Sequence, residues 1–208
     1  MNQINHLENL IRLLSRLPSL GPRSARRLAL HLLGNRNNIM SPLIESMNLA
    51  IKNVKICQIC GNLDSANICS ICLDQSRNSE LLCVVEDIAD LWAIERNKNI
   101  NIGHSRIFEG KYHILGGTLC AISGKGPEDL NIKQLVLRIK NDEIKEVILA
   151  INPTIEGQTT AYYLAEILKE FNIKISKLAY GIPIGSELDY LDEGTLGIAF
   201  KTRNDFNY

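Results

Sequence analysis

Four cysteines fall in two pairs, Cys57-Gln-Ile-Cys60 and Cys69-Ser-Ile-Cys72, with eight residues between the pairs. Each C-x2-C turn presents two thiolates, and four thiolates at about 2.3 Å close a tetrahedral shell around zinc with no position left for water. A site of that kind is structural. The competing readings are a redox C-x-x-C pair and chance spacing, but both pairs lie within 16 residues and no thioredoxin-like context surrounds them. Cys83 and Cys120 stand apart, the first in a predicted strand and the second in a predicted loop, and are read as bystanders.

A second chemistry belongs to the segment Leu17-Pro18-Ser19-Leu20-Gly21-Pro22, which is followed by Arg23, Arg26 and Arg27. A turn opening a helix leaves backbone N–H groups free, and guanidinium groups beside them make an edge suited to phosphate. Contacts of this type go to the nucleic-acid backbone, so the expected DNA binding is independent of sequence. An arginine face that only solubilises a helical pair is the alternative. Ser19 stands where a glycine would more easily adopt positive φ or let the backbone approach a phosphate.

A third candidate is Glu86, directly after the apolar run 81–85, which places its carboxylate at the carboxyl edge of a sheet. Magnesium-dependent phosphoryl chemistry needs several converging carboxylates, yet the run 147–151 continues as Asn152-Pro153-Thr154, an amide and a hydroxyl. Asp87 and Glu156 are the remaining acids nearby, so a catalytic cluster is not expected. The loop Ser123-Gly124-Lys125-Gly126-Pro127 fails as a phosphate-binding loop, with Leu119 where a glycine is required and Gly126 where a hydroxyl is required. His104 and His113 show no metal-ligand spacing and are read as surface or core histidines.

These groups need elements to hold them. Leu7, Leu10, Ile11 and Leu14 repeat at helical spacing, as do Ala25, Leu28, Ala29 and Leu32, so two helices flank the turn at 17–22. Pro22 suits the first turn of the second helix, and Gly34 is read as its left-handed cap. A third helix is expected from Ser41 as N-cap and Pro42 at N1, with Leu43, Met47, Ala50, Ile51 and Val54 on one stripe. From residue 80 strand-like runs at 81–85, 112–115, 147–151 and 173–179 alternate with helical patterns at 88–96, 130–140 and 158–171, which predicts an α/β layer with a mainly parallel sheet. The tail at 181–200 has low periodicity and reads as strands and turns.

The whole chain of 208 residues carries 23 basic and 23 acidic side chains, so bulk attraction to nucleic acid or anionic membrane is not a property of the sum. Residues 1–40, with six arginines against Glu8, form a +5 module, and the remainder is −5. Apolar runs reach only five residues, far short of the ~20 that a membrane span requires. The opening MNQINHLENL has no basic patch leading into a hydrophobic stretch, so no secretory signal is read there and a reducing cytoplasm is the expected compartment. Cysteines there point to metal and away from disulfides.

The order LPSLGPRSARRLALHLL, CQIC…CSIC, LLCVVED, ILAINPTIEGQTTA and YGIPIGSELDY resembles the bacterial RecR family of recombination mediators over nearly the whole chain. The resemblance implies an α/β protein in four parts: a helical helix–hairpin–helix module at 1–54, a four-cysteine zinc finger at 55–79, a toprim domain at 80–178 and a short β-rich segment at 179–208 that serves assembly. It implies Cys57, Cys60, Cys69 and Cys72 as ligands of one structural zinc, Arg23 and Arg27 as DNA-contacting residues, and Glu86 as an acid for partner contact. It further implies a non-catalytic clamp that works with RecO and RecF to load RecA at single-stranded gaps, as a homo-oligomer of dimer size at least and a tetrameric ring by family likeness. Two departures accompany it. Ser19 replaces the family's glycine, and Leu119-Cys120-Ala121-Ile122 stands where Leu-Ser-Pro-Leu is common. A metal-dependent toprim nuclease or topoisomerase is the alternative, opposed by the missing Asp-x-Asp at Asn152-Pro153-Thr154.

Overall fold

The computed structural model describes residues 5–96, 106–179 and 181–203. The chain divides into two compact units, Met1–Lys55 and Ile56–Tyr208. In the first unit, helix α1 (His6–Leu14) is capped by Asn5, whose side-chain oxygen accepts from the N–H groups of Leu7 and Glu8. Helix α2 (Pro22–Gly34) starts with proline in its first turn and buries Ala25, Ala29 and Leu32 against α1. The i, i+4, i+7 spacing puts these three on one face, and the two alanines let the helices approach closely. The intervening hairpin is tied by Leu17 N–H to Leu14 C=O at 3.1 Å and Leu20 N–H to Leu17 C=O at 3.2 Å.

Ser19 sits at φ 63, the one positive-φ position occupied by a residue other than glycine among those described. A β-carbon there costs roughly 1–2 kcal/mol. The sequence departure from glycine therefore retains the hairpin and adds strain to it.

Two local readings are corrected. Gly34 is the last residue of α2 and not a left-handed cap, because the chain continues through Asn35 into a π-helical turn at Arg36–Met40. Ser41 is likewise not an N-cap: it already has helical φ and ψ and carries no capping bond. The π turn delivers the backbone to helix α3 (Ser41–Asn53) in helical conformation, which removes the break that a cap would serve. Every residue of α3 is exposed, its apolar stripe included.

The finger is a two-stranded sheet of β1 (Lys55–Ile56) and β2 (Leu63–Asp64) followed by the one-turn helix α4 (Ser70–Leu73). The main sheet has strands β3 (Asn78–Val85), β4 (Gly110–Ile114), β5 (Glu146–Ala150) and β6 (Lys174–Lys177) in the order β4-β3-β5-β6. Every pairing is parallel, with Leu82 opposite Val147 and Cys83 opposite Tyr112. Helices α5 (Ile88–Arg96), α6 (Ile132–Asn141) and α7 (Ile155–Leu168) connect them. Alternation along the central strand separates two cores. Leu82 and Val84 pack with Leu135, Ile139, Leu164 and Leu168 from α6 and α7, whereas Cys83 and Val85 pack with Leu91 of α5, Tyr112 and Ile114. Burial on both faces is why this strand reads as an unbroken apolar run.

The tail is also corrected. Where a β-rich segment is expected, the described residues form a 3-10 turn at Leu188–Tyr190 and helix α8 (Glu193–Lys201). Asp192 starts the helix by accepting from the Thr195 N–H at 2.9 Å and from its hydroxyl at 2.6 Å. This side-chain cap outweighs the low helix propensity of Gly194 and Gly197, which had hidden the helical spacing.

His113, expected on the surface or in the core, is a core residue of β4, while His104 lies outside the described residues. Its Nε2 lies 2.9 Å from the Asn131 carbonyl and must donate there, leaving Nδ1 buried without a partner. Burial, with Arg138 nearby, pushes its pKa down to about 4. The unfolded chain takes up this proton near pH 6.5 and the native chain only near 4, so stability is complete above about 6.5 and falls as pH drops between those values. The loss amounts to about 3 kcal/mol. Urea titrations across pH 4–7 are expected to show this slope in the parent and a flatter one in His113→Leu.

Candidate metal centre and anion-binding edge

Cys57, Cys60, Cys69 and Cys72 bring their sulfurs within 4.8 Å of one another. Cys57 and Cys60 come from the turn after β1, and Cys69 and Cys72 from the start and interior of α4. The Cys57–Cys72 and Cys60–Cys69 sulfur separations are 3.9 and 3.5 Å. A tetrahedron with metal–sulfur bonds of about 2.3 Å has edges of about 3.8 Å, so the donor set fits zinc in size as well as in chemistry. Backbone N–H groups of Asn62 and Cys69 point at the sulfurs of Cys60 and Cys57, at 3.4 and 3.3 Å, as befits groups that carry negative charge. Sharing protons splits the cluster: the hydrogen bond from Cys60 lowers Cys69, the same contact raises Cys60 to about 12, and hydrogen bonding with Cys60 and Cys69 raises Cys72. A divalent cation removes that conflict by favouring thiolate at all four.

Cys83 and Cys120 take no part. Cys83 is buried in β3 and burial raises its thiol to about 12, which makes it inert. Cys120 lies in a bridge with Lys125.

The finger is fastened to the sheet by groups that carried no recognisable signal in the sequence. Ile114 N–H donates to the Cys60 carbonyl at 2.8 Å, Trp92 Nε1 donates to the buried Asn62 side chain at 3.0 Å, and Lys111 Nζ reaches α4. Just beyond, Arg77 is buried and holds Glu95 through bonds of 3.0 and 2.6 Å. Burial alone would raise the Glu95 carboxyl, but hydrogen bonds from Arg77 and Tyr112 outweigh it and hold it below the usual range.

At the carboxyl edge of the sheet Glu86 follows β3, and Asn152 Nδ2 donates to its Oε2 at 2.9 Å. The Thr154 hydroxyl is occupied in capping α7, accepting from Gly157 N–H at 3.0 Å. Asp87 and Asp90 exchange bonds with each other's backbone N–H at the start of α5. Among the described residues no second carboxylate is seen to bond Glu86, and the four cysteines are the one group of three or more that could hold a metal.

In the helical unit Arg23, Arg26 and Arg27 are exposed over the first turns of α2. Its first turn contains no acid and its N-cap Gly21 offers no side-chain oxygen. None of the three arginines has an ion pair or hydrogen bond among the described residues. Arg23 and Arg27, four apart, share a face with the free N–H end of the helix.

A helix–hairpin–helix, a tetrathiolate finger and a parallel α/β sheet, in that chain order, define a zinc-finger toprim protein. Family models match each part: the RecR helix–hairpin–helix over 7–51, the RecR four-cysteine zinc finger over 54–74, the toprim domain over 80–179 and the RecR C-terminal region over 181–204. Proteins named recombination protein RecR from Bradyrhizobium sp. (strain BTAi1) and Mesorhizobium japonicum are each 50% identical over 200 residues, covering 96% of both chains. One from Brucella anthropi is 51% identical over 197 residues, 95% of this chain and 94% of its own. The chain belongs to the RecR family.

Proposed function

We propose that this chain is a DNA-binding recombination mediator of DNA repair that works as a zinc-containing clamp and scaffold and not as an enzyme. Residues 1–54 grip the phosphate backbone through Arg23 and Arg27. Residues 55–79 hold one structural zinc. The toprim part, 80–178, presents Glu86 to a protein partner, and 179–208 serves assembly. Named relatives act in recombination, and family likeness points to RecO and RecF as partners in loading RecA in the cytoplasm. No helix among the described residues is long and apolar enough to cross a membrane. Assembly as a homo-oligomer, with a ring of four as the specific form, gives cover to α3, a 13-residue helix exposed along its length. A solvated helix of that length is marginal by itself. The α1 stripe is already half-covered within its own unit at Leu10, Ile11 and Leu14, so α3 has the stronger claim.

The observation that carries the non-catalytic reading is the Asn152 amide on Glu86. Where toprim enzymes place acids to hold magnesium, an uncharged donor occupies one of the carboxylate's roughly four acceptor sites and adds no ligand charge. Purified protein incubated with magnesium and either DNA or ATP is expected to show no cleavage, relaxation or hydrolysis above the level of a Glu86→Ala control. Turnover that persists through purification and vanishes in Glu86→Ala would establish an enzyme.

A further inference from the structure

The second knuckle of the finger is finished by a side chain from the sheet. Lys111 lies on β4, the edge strand, and its Nζ donates to the carbonyls of Ile71 at 3.0 Å, Cys72 at 3.0 Å and Asp74 at 2.6 Å. All three protons of the ammonium are thereby used on one turn of backbone. Helix α4 has four residues, so its last carbonyls have no partner within the helix, and a cation there also complements the negative end of the helix.

We propose that Lys111 is a positioning residue of the zinc site, holding the α4 turn so that Cys72 stays on the metal. The inference rests on the reading of the four cysteines as zinc ligands. Cys72 is the one ligand that is not fully buried, which makes it the sulfur from which water or a chelator displaces the metal first. Lys111 bonds the carbonyl of that same residue and of the residue before it. A zinc tetrathiolate carries a net charge of −2, and the Lys111 ammonium on the Cys72 backbone offsets part of it in a half-buried setting. Removing it takes away three bonds to backbone and the nearby positive charge together. Loss of outer partners of this kind typically costs roughly 10–100-fold in metal affinity.

The chain's single tryptophan supplies the reporter, since Trp92 donates to Asn62 in the finger and senses the docking directly. Full-length protein would be mixed with excess chromogenic zinc chelator, following metal release by absorbance and finger docking by Trp92 emission. Lys111→Met is expected to release zinc roughly 10–100-fold faster than the parent, and Lys111→Arg, which keeps charge and donors, close to the parent rate. If Lys111→Met does not fold, Lys111→Gln, which keeps most of the stem and an amide donor, carries the same comparison. A folded neutral variant with native Trp92 emission and parent-like release would overturn the inference, as would one that melts earlier yet releases zinc at the parent rate while folded. A parent protein that purifies with no zinc would instead overturn the finger itself.

Discussion

Cys69→Ser is expected to purify with well under one zinc per chain, to show red-shifted Trp92 emission and to aggregate on warming. Cys69 is fully buried, lies between Cys60 and Cys57, and starts α4. The finger's core consists of Cys57, Cys60 and Cys69 with partly covered Ile59, Ile68 and Ile71 around them. So little apolar burial cannot order the segment, and ligation must supply the stabilisation, on the order of 10 kcal/mol in finger peptides. Damage would spread to the sheet, because the edge strand β4 donates from Ile114 to the Cys60 carbonyl and α5 donates from Trp92 to Asn62. Metal analysis showing zinc-free protein with four free thiols and an intact finger would refute this.

The second large effect concerns α3. Met47 and Ile51, four apart on one face, are 54% and 81% exposed. Neither side chain is buried within its own unit, so replacing both with aspartate removes no core contact there. Sedimentation of Met47→Asp/Ile51→Asp is expected to show a smaller species than the parent. DNA affinity should fall by about 10²-fold or more, because several basic edges joined in one assembly bind with avidity that a single edge lacks. A parent that sediments as a monomer at micromolar concentration, or a variant with parent-like mass and affinity, would contradict the assembly proposed.

Side chains with a strict geometric demand were the most legible part of the sequence. The two C-x2-C turns marked the finger because four thiolates need that spacing, and the apolar runs marked β3 and β5 because burial on both faces leaves no polar positions. Ser19, in a turn context that favours glycine, does occupy positive φ. What stayed hidden depended on distant partners. Lys111, Asn62 and Trp92 look like ordinary residues until β4 and α5 come against the finger, 30 to 40 positions apart in sequence. The π turn at Arg36–Met40 replaced an expected break because i→i+5 bonding leaves no distinct residue pattern. The cap at Asp192 leaves little trace in the sequence because the neighbouring glycines disfavour a helix.

The proposed clamp holds DNA through its helical unit, and the salt dependence of binding reads that grip directly. Log affinity against log salt should be steep for the parent and nearly the same for unrelated DNA sequences. In Arg23→Ala/Arg27→Ala the slope should drop, for each chain engaged, by roughly 1.4 on single strands and 1.8 on duplex, two phosphate contacts having been lost. A slope unchanged by the double substitution would mean that these arginines only solubilise α2 and that DNA is held elsewhere.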